Sequence, residues 1–207
     1  MTGKEIRSSR DFLRRTQSDQ GKWGIPMVRR QSIELEELSL IGFNDTRAHD
    51  GRGKTSCGVH FFVDDYRFNC VYQYPERYLE RLSQYAFVLT PDFSLYREMS
   101  LWRQLESTAW NRWCGAYWQE HGLTVIPTIS WSSYQSFEFC FEGVEEGSIA
   151  AISTVGCRKS KKDFLRGYDA MLERIRPEAV ICYGQPFEKM RGNLIEVSYT
   201  ETRRVKL

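Results

Sequence analysis

Phe87-Val88-Leu89-Thr90-Pro91-Asp92-Phe93-Ser94 begins as an apolar strand and ends in a polar cluster. The pattern recurs in His60-Phe61-Phe62-Val63-Asp64-Asp65 and Val125-Ile126-Pro127-Thr128-Ile129-Ser130-Trp131. It returns in Ile149-Ala150-Ala151-Ile152-Ser153-Thr154-Val155-Gly156 and Val180-Ile181-Cys182-Tyr183-Gly184-Gln185. Amphipathic helical stretches separate most of these runs. α/β folds bury such strands and build their sites from groups at the carboxyl ends. The pattern therefore predicts where a site lies, without naming its reaction.

Outward from these runs, residues 38–43 read as a further strand ending at Asn44-Asp45, and residues 194–197 as the last strand. Residues 48–54 have the composition of a loop. A helix is predicted near residues 78–82, with Pro75 at its start. The longest helix spans residues 101–120 and is closed by His121-Gly122. Another places Phe164, Leu165, Tyr168, Met171, Leu172 and Ile175 on one face and stops at Pro177. Residues 137–141 alternate and read as a strand, with a short turn as the alternative. The β-α-β-α order predicts a largely parallel sheet with right-handed crossovers. Because almost every strand ends in a polar cluster, a small or incomplete TIM-barrel-like arrangement is the first expectation. An open doubly wound sheet, which gathers ligand groups at one switch point, is the alternative.

A chain of 207 residues, 41% of them apolar, is expected to form a single α/β domain over residues 23–207 behind a polar basic arm, residues 1–22. Net charge is +2, so no global basic field argues for nucleic acid. The basic groups are uneven, however. Lys4, Arg7, Arg10, Arg14, Arg15, Lys22, Arg29 and Arg30 face only Glu5, Asp11 and Asp19 in the first thirty residues. That arm is either a solvated terminus or a phosphate-contacting segment. None of the six cysteines forms a C-x-x-C pair, which predicts reduced thiols in a cytoplasm. No run approaches the length of a membrane span, so neither secretion nor membrane insertion is expected.

Several longer motifs carry a resemblance. They are Thr90-Pro91-Asp92-Phe93-Ser94-Leu95-Tyr96, Asn111-Arg112-Trp113, the segment 122–131 ending Thr128-Ile129-Ser130-Trp131, Ser136-Phe137-Glu138-Phe139-Cys140-Phe141-Glu142-Gly143, and Cys182-Tyr183-Gly184. In this order they resemble an uncharacterised family of bacteria, phages and other mobile elements, catalogued only as a domain of unknown function. The resemblance covers about residues 23–200. It implies a phage, mobile-element or bacterial cytoplasmic context and transfers no activity.

The chemistry is therefore read from the residues. Asp64, Asp65 and Asp92 are the candidate catalytic groups. Strand neighbours point to opposite faces, so only one of Asp64 and Asp65 is expected to face a shared interior. Two carboxylates on adjacent strand ends can separate in pKa or share a divalent cation, although the sequence specifies no cofactor. Against this, Asp64 could simply pair with Arg67, and an aspartate after proline is a common turn former. Ser94 lies just beyond Asp92 and is placed to orient a ligand. No Ser-His-Asp logic is present among His49, His60 and His121.

Asn111-Arg112 is a polar pair in the aromatic run of the long helix. Arg112 suits either a pin on a strand-end aspartate or a fork on a ligand phosphate or carboxylate. Thr128 and Ser130 share a strand face, with Trp131 at the tip as a stacking wall or a core lid. Gly156, Arg158 and Lys159 belong to a basic turn that enters a helix. It reads as a solvated helix start, with Ser160 and Asp163 as a capping box, or as an anion site. Tyr183 and Gly184 end the penultimate strand, where the tyrosine is placed to donate a hydrogen bond. Together these groups suit a hydrolase-type enzyme acting on a phosphorylated, nucleotide-like or sugar-containing small molecule. The rival is a non-catalytic mobile-element module. It would bind nucleic acid through the basic arm and the helix tryptophans Trp110 and Trp118, whose first reading is nevertheless core packing, or would bind a host protein.

Overall fold

The structure, a computed structural model, describes residues 2–7, 13–14, 16, 19–48 and 57–198. Part of the basic arm, including Arg10 and Arg15, lies outside the described residues, as does the loop around His49. The chain opens with a short helix α1 (Gly3–Arg7) and an antiparallel pair, β1 (Asp19–Gln20) and β2 (Ile25–Pro26). Four parallel strands follow in chain order: β3 (Ser39–Gly42), β4 (Cys57–His60), β5 (Phe87–Leu89) and β6 (Val125–Ile126). Helices α2 (Cys70–Gln73) and α3 (Glu76–Leu82) connect β4 to β5, and α4 (Leu101–Glu120) connects β5 to β6. A second parallel sheet holds β7 (Ala150–Ser153), β8 (Val180–Tyr183) and β9 (Leu194–Val197), with α5 (Lys161–Ile175) between β7 and β8. The α/β class and the parallel pairing agree with the expectation from the sequence.

The two sheets touch. A parallel bridge pairs Thr128 with Ala151. The Ile129 N–H donates to the Ala151 carbonyl at 2.8 Å, and the Ala151 N–H donates to the Pro127 carbonyl at 2.8 Å. All seven strands therefore point their carboxyl ends the same way. Alternation sorts their side chains. Val59, Val88 and Val125 pack outward with Trp113, Tyr117 and Trp118 of α4. Ile152, Val180 and Cys182 pack outward with Tyr168 and Met171 of α5. On the opposite face, Leu40, Phe87, Leu89, Ile126, Ala151, Ile181, Tyr183 and Val197 form one cluster drawn from both sheets. The His60 ring of β4 reaches the Tyr183 ring of β8, with centroids 4.6 Å apart, although three strands lie between them in order. The strands must curve for this to happen, and Gly58 permits it: a Cβ there would sit 2.2 Å from the Phe87 ring.

Helix α4 is the element both clusters share. Leu105 and Ala109 meet one, while Trp113, Cys114 and Trp118 belong to the other. Gly115 lets it approach closely, since a Cβ would lie 2.6 Å from Thr90 and 2.7 Å from Val28. Arg112, 1% exposed, donates to the carbonyls of Thr128 (2.9 Å), Cys140 (2.8 Å) and Glu142 (3.0 Å) and to the Asn111 amide oxygen. Burial pushes its guanidinium down to about 10, which leaves it charged near neutrality.

Three readings of the sequence are corrected. Arg112 pins carbonyls, not a strand-end aspartate. Residues 137–141 take the turn alternative rather than the strand: a 3-10 helix (Tyr134–Glu138) precedes turns through Gly143. The physical reason is that Ser136 takes the local hydrogen bonds, its carbonyl accepting from the Phe139 and Cys140 N–H groups. The next carbonyls are then free for Arg112. The Ser160–Asp163 capping box is also absent. Ser160 makes no side-chain cap bond, and Asp163 instead accepts from Arg97 at 2.5 Å.

Two outcomes follow for stability. Arg112→Lys keeps the charge but not the planar fork, so it should cost more than about 3 kcal/mol in urea unfolding, with buried carbonyls left unpaired. Gly58→Ala should cost about 1–3 kcal/mol by overpacking against Phe87, whereas Gly24→Ala, where a Cβ would meet nothing within 4 Å, should leave the interior unchanged, with only the strain of its positive φ to carry.

Candidate functional site

A cavity of about 550 Å³ opens at the carboxyl ends of the strands. Its wall takes Gly42, Asn44 and Asp45 from the end of β3, and His60, Phe62, Asp64 and Arg67 from the end of β4. Asp92, Ser94 and Tyr96 come from the segment after β5, Ser130 and Trp131 from the exit of β6, Ser153 and Cys157 from β7 and its turn, and Tyr183 from β8. A parallel sheet with uniform strand direction leaves its unpaired polar ends at one rim, which is why six separate segments meet here.

Asp92 is the central carboxylate. It is part-buried, and the Ser130 hydroxyl donates to its Oδ1. Burial pushes its pKa up to about 6, against the lowering effect of the Ser130 hydrogen bond and with a smaller push from the negative charge of Asp65. The backbone that carries it is clamped from behind. The Asn111 amide donates to the Pro91 carbonyl at 2.7 Å and to the Thr128 carbonyl at 3.2 Å. The Thr128 N–H donates to the Thr90 hydroxyl at 2.7 Å. Asn111, Arg112 and Thr128 thus hold the two strand exits that bear Asp92 and Ser130. They lie behind the cavity and do not line it.

Asp64 and Asp65 lie beyond the end of β4, where strand alternation does not apply, and they part ways at the start of a 3-10 helix. Asp64 lines the cavity, largely solvent-exposed, with Arg67 3.6 Å away. Asp65 begins a 3-10 helix and accepts from the Ser94 hydroxyl at 2.8 Å and the Ser94 N–H at 3.2 Å. It reaches the cavity only through Ser94. Trp131 lines the wall and lies flat on α5, because Gly167 has no Cβ: one would sit 2.1 Å from the indole nitrogen. Its ring packs against Phe164 at 4.9 Å.

The basic turn contributes less. Val155 and Cys157 line the cavity, but Gly156, Arg158 and Lys159 do not, and Gly184 spends its positive φ on passing close to Thr154. Among the described residues no group of three or more His, Cys, Asp or Glu side chains is placed to hold a metal ion. The shared-cation expectation therefore gains no ligand set from this geometry.

Among the cavity residues that sequence reasoning did not single out are His60, Asn44 and Asp45. The same rule that marked Asp92, a polar group at a strand carboxyl end, would have found them. His60 is 3% exposed and accepts the Phe62 N–H on Nδ1 at 3.2 Å. Burial pushes its imidazole down to about 4, so it is neutral and carries its proton on Nε2.

Opposite slopes in stability follow. Asp92 binds its proton more tightly when folded, so its contribution is lost as pH rises from about 4 through about 6. His60 binds its proton more weakly when folded, so its contribution is lost as pH falls from about 6.5 through about 4. Asp92→Asn should therefore be more stable than the parent at pH 7.5, by on the order of 2 kcal/mol. The gap should close towards pH 4, as measured by urea unfolding across pH.

Comparison with known proteins adds a lineage. The family model described as "Domain of unknown function (DUF4417)" matches residues 17–200. The chain is 40% identical over 176 residues to the Gene 1 protein of Mycobacterium phage L5, covering 84% of this chain and 76% of that protein. It is 38% identical over 176 residues to the Gene 1 protein of Mycobacterium phage D29, covering 84% of this chain and 64% of that protein, less than two thirds of its length. No solved structure matches. The strand ends, the clamp on α4 and the cavity all fall within the matched residues, and the chain belongs to the DUF4417 family, an uncharacterised family with phage members.

Proposed function

We propose that the cavity is an active site of hydrolase type, with Asp92 as its acid/base group and a polar small molecule, phosphorylated, nucleotide-like or sugar-containing, as its substrate. The observation that carries this reading is the placement of Asp92: a carboxylate on a braced strand exit, bonded to Ser130, in a cavity wide enough for a small ligand. A carboxylate with a pKa near 6 is mostly ionised at neutral pH yet basic enough to accept a proton from water. Arg67 supplies a cation at the same wall, and Ser94 and Tyr96 supply hydroxyls. Asp64 adds a second carboxylate.

The fold behind the site is, in this reading, an incomplete TIM-barrel-like arrangement of seven strands. Its support is the interior cluster shared by β3 and β5 to β9 and the contact of His60 with Tyr183. Among the described residues β3 pairs only with β4 and β9 only with β8, so no strand pairing closes the ring.

The helix tryptophans lend the nucleic-acid reading little support. Trp118 is fully buried, and Trp110 is stacked on Tyr72 at 4.7 Å. Arg14 of the basic arm is packed over the Tyr72 and Trp113 rings, 4.6 and 4.7 Å from their centroids. Trp102, 66% exposed, is the helix tryptophan left at the surface. Among the described residues no helix is long and apolar enough to cross a membrane.

The test is a turnover screen of the purified chain against chromogenic phosphate esters, glycosides and nucleotides. The parent should turn over at least one class, with a rate that rises as pH passes about 6. Asp92→Asn should lose about 100-fold or more while remaining folded. Equal turnover by both proteins, or none by the parent, would remove the acid/base reading.

A further inference from the structure

One corner of the cavity has its own chemistry. Above Gly42, the place a Cβ would occupy lies 3.0 Å from the Asn44 Oδ1, 3.3 Å from an Asp45 carboxylate oxygen and 3.6 Å from the His60 Cε1. Gly42 leaves that space open, and all four residues line the cavity. His60 is the informative member. Its Nδ1 is occupied by the Phe62 N–H, so Nε2 bears the proton, and it has no partner among the described residues. That N–H opens into the cavity, where a ligand group can accept from it.

The turn that presents Asn44 and Asp45 is held from below. Arg81 of α3 donates to the carbonyls of Phe43 (2.9 Å) and Thr46 (2.6 Å) and to the Thr46 hydroxyl (2.6 Å), with its guanidinium over the Phe43 ring. Meanwhile neither Asn44 nor Asp45 has a side-chain partner among the described residues. The support is built, and the two side chains it presents are unspent.

The required ligand group follows from the donor and acceptor count. Asn44 Oδ1 and Asp45 accept, while His60 Nε2–H donates. A phosphate or carboxylate could take the His60 proton but would meet the Asp45 charge. An ammonium or guanidinium could satisfy Asp45 but cannot accept from His60. Adjacent hydroxyls do both, each donating and accepting. The rings of Phe62 and Tyr183, stacked at 4.8 Å beside His60, supply the apolar wall a sugar ring lies against.

We infer that this corner is a sugar subsite that binds vicinal ring hydroxyls, as in a riboside. The ligand hydroxyls donate to Asn44 and Asp45, and one accepts from His60. The inference rests on the reading of the cavity as a ligand site and narrows its substrate class to sugar-containing molecules.

The test uses the full ¹⁵N-labelled chain and the His60 side-chain resonances. Methyl β-D-ribofuranoside is the probe and its 2,3-dideoxy analogue the control. The Nε2–H tautomer is expected at pH 7, with a saturable shift on adding the riboside and none with the analogue. Asp45→Ala, a change at an exposed side chain, should weaken that binding about tenfold. No shift, an equal shift from the dideoxy analogue, or an Nδ1–H tautomer would overturn the subsite. Riboside binding without turnover in the substrate screen would remove the acid/base reading and leave the subsite standing. Turnover of phosphate esters without riboside binding would do the reverse.

Discussion

A single buried cation organises the rim of this protein. Arg112 sits in the core with no carboxylate partner among the described residues, and its charge is met by three backbone carbonyls and the amide of its neighbour. Burying a charge this way is costly unless every donor is satisfied. The converse is that the carbonyls of Thr128, Cys140 and Glu142 have few positions in which they can satisfy it. Asn111 extends the constraint to Pro91. Two residues on one helix turn therefore set the exits of β5 and β6 and the turns through Gly143. Asp92 and Ser130 are the residues next beyond, or nearly so, which is how a structural arginine governs the geometry of a cavity it does not line.

Curvature is the second constraint, and it acts through absent side chains. Gly58 admits the Phe87 ring, Gly115 lets α4 approach Thr90 and Val28, and Gly167 accepts the Trp131 indole. Each is a close approach between elements distant in sequence. Their joint effect is a bowl whose rim is polar and whose floor is aromatic. That environment raises the Asp92 pKa and lowers that of His60 by the same mechanism, since burial disfavours the charged form of each.

Helix α4 shows where pattern reading meets its limit. Its ends were legible, because Gly122 at positive φ and the residues around it stop a helix locally. Its burial was not. A helix buried on most of its surface, with Gln104, Ser107, Thr108, Asn111 and Arg112 all inside, has no polar face to read. The same limit applies to residues 137–141. Their alternation is real, but Ser136 and Arg112 claim the backbone groups a strand would need. Ser160 and Asp163 have capping-box spacing, yet Arg97, far away in sequence, takes the carboxylate.

By itself the sequence determined the class of fold, the direction of the strands and the end of the sheet at which polar groups collect. Those are consequences of local periodicity and of the right-handed βαβ connection, both of which operate over tens of residues at most. It also marked Asp64, Asp92, Ser94, Trp131 and Tyr183, which line the cavity. Only the tertiary structure decided that Arg112 and Asn111 are braces and that Asp65 acts through Ser94. It also brought His60 to the same corner of the cavity as Gly42, Asn44 and Asp45. Those assignments depend on which side chains meet across a curved sheet. That is set by packing between segments far apart in the chain, and no local pattern carries it.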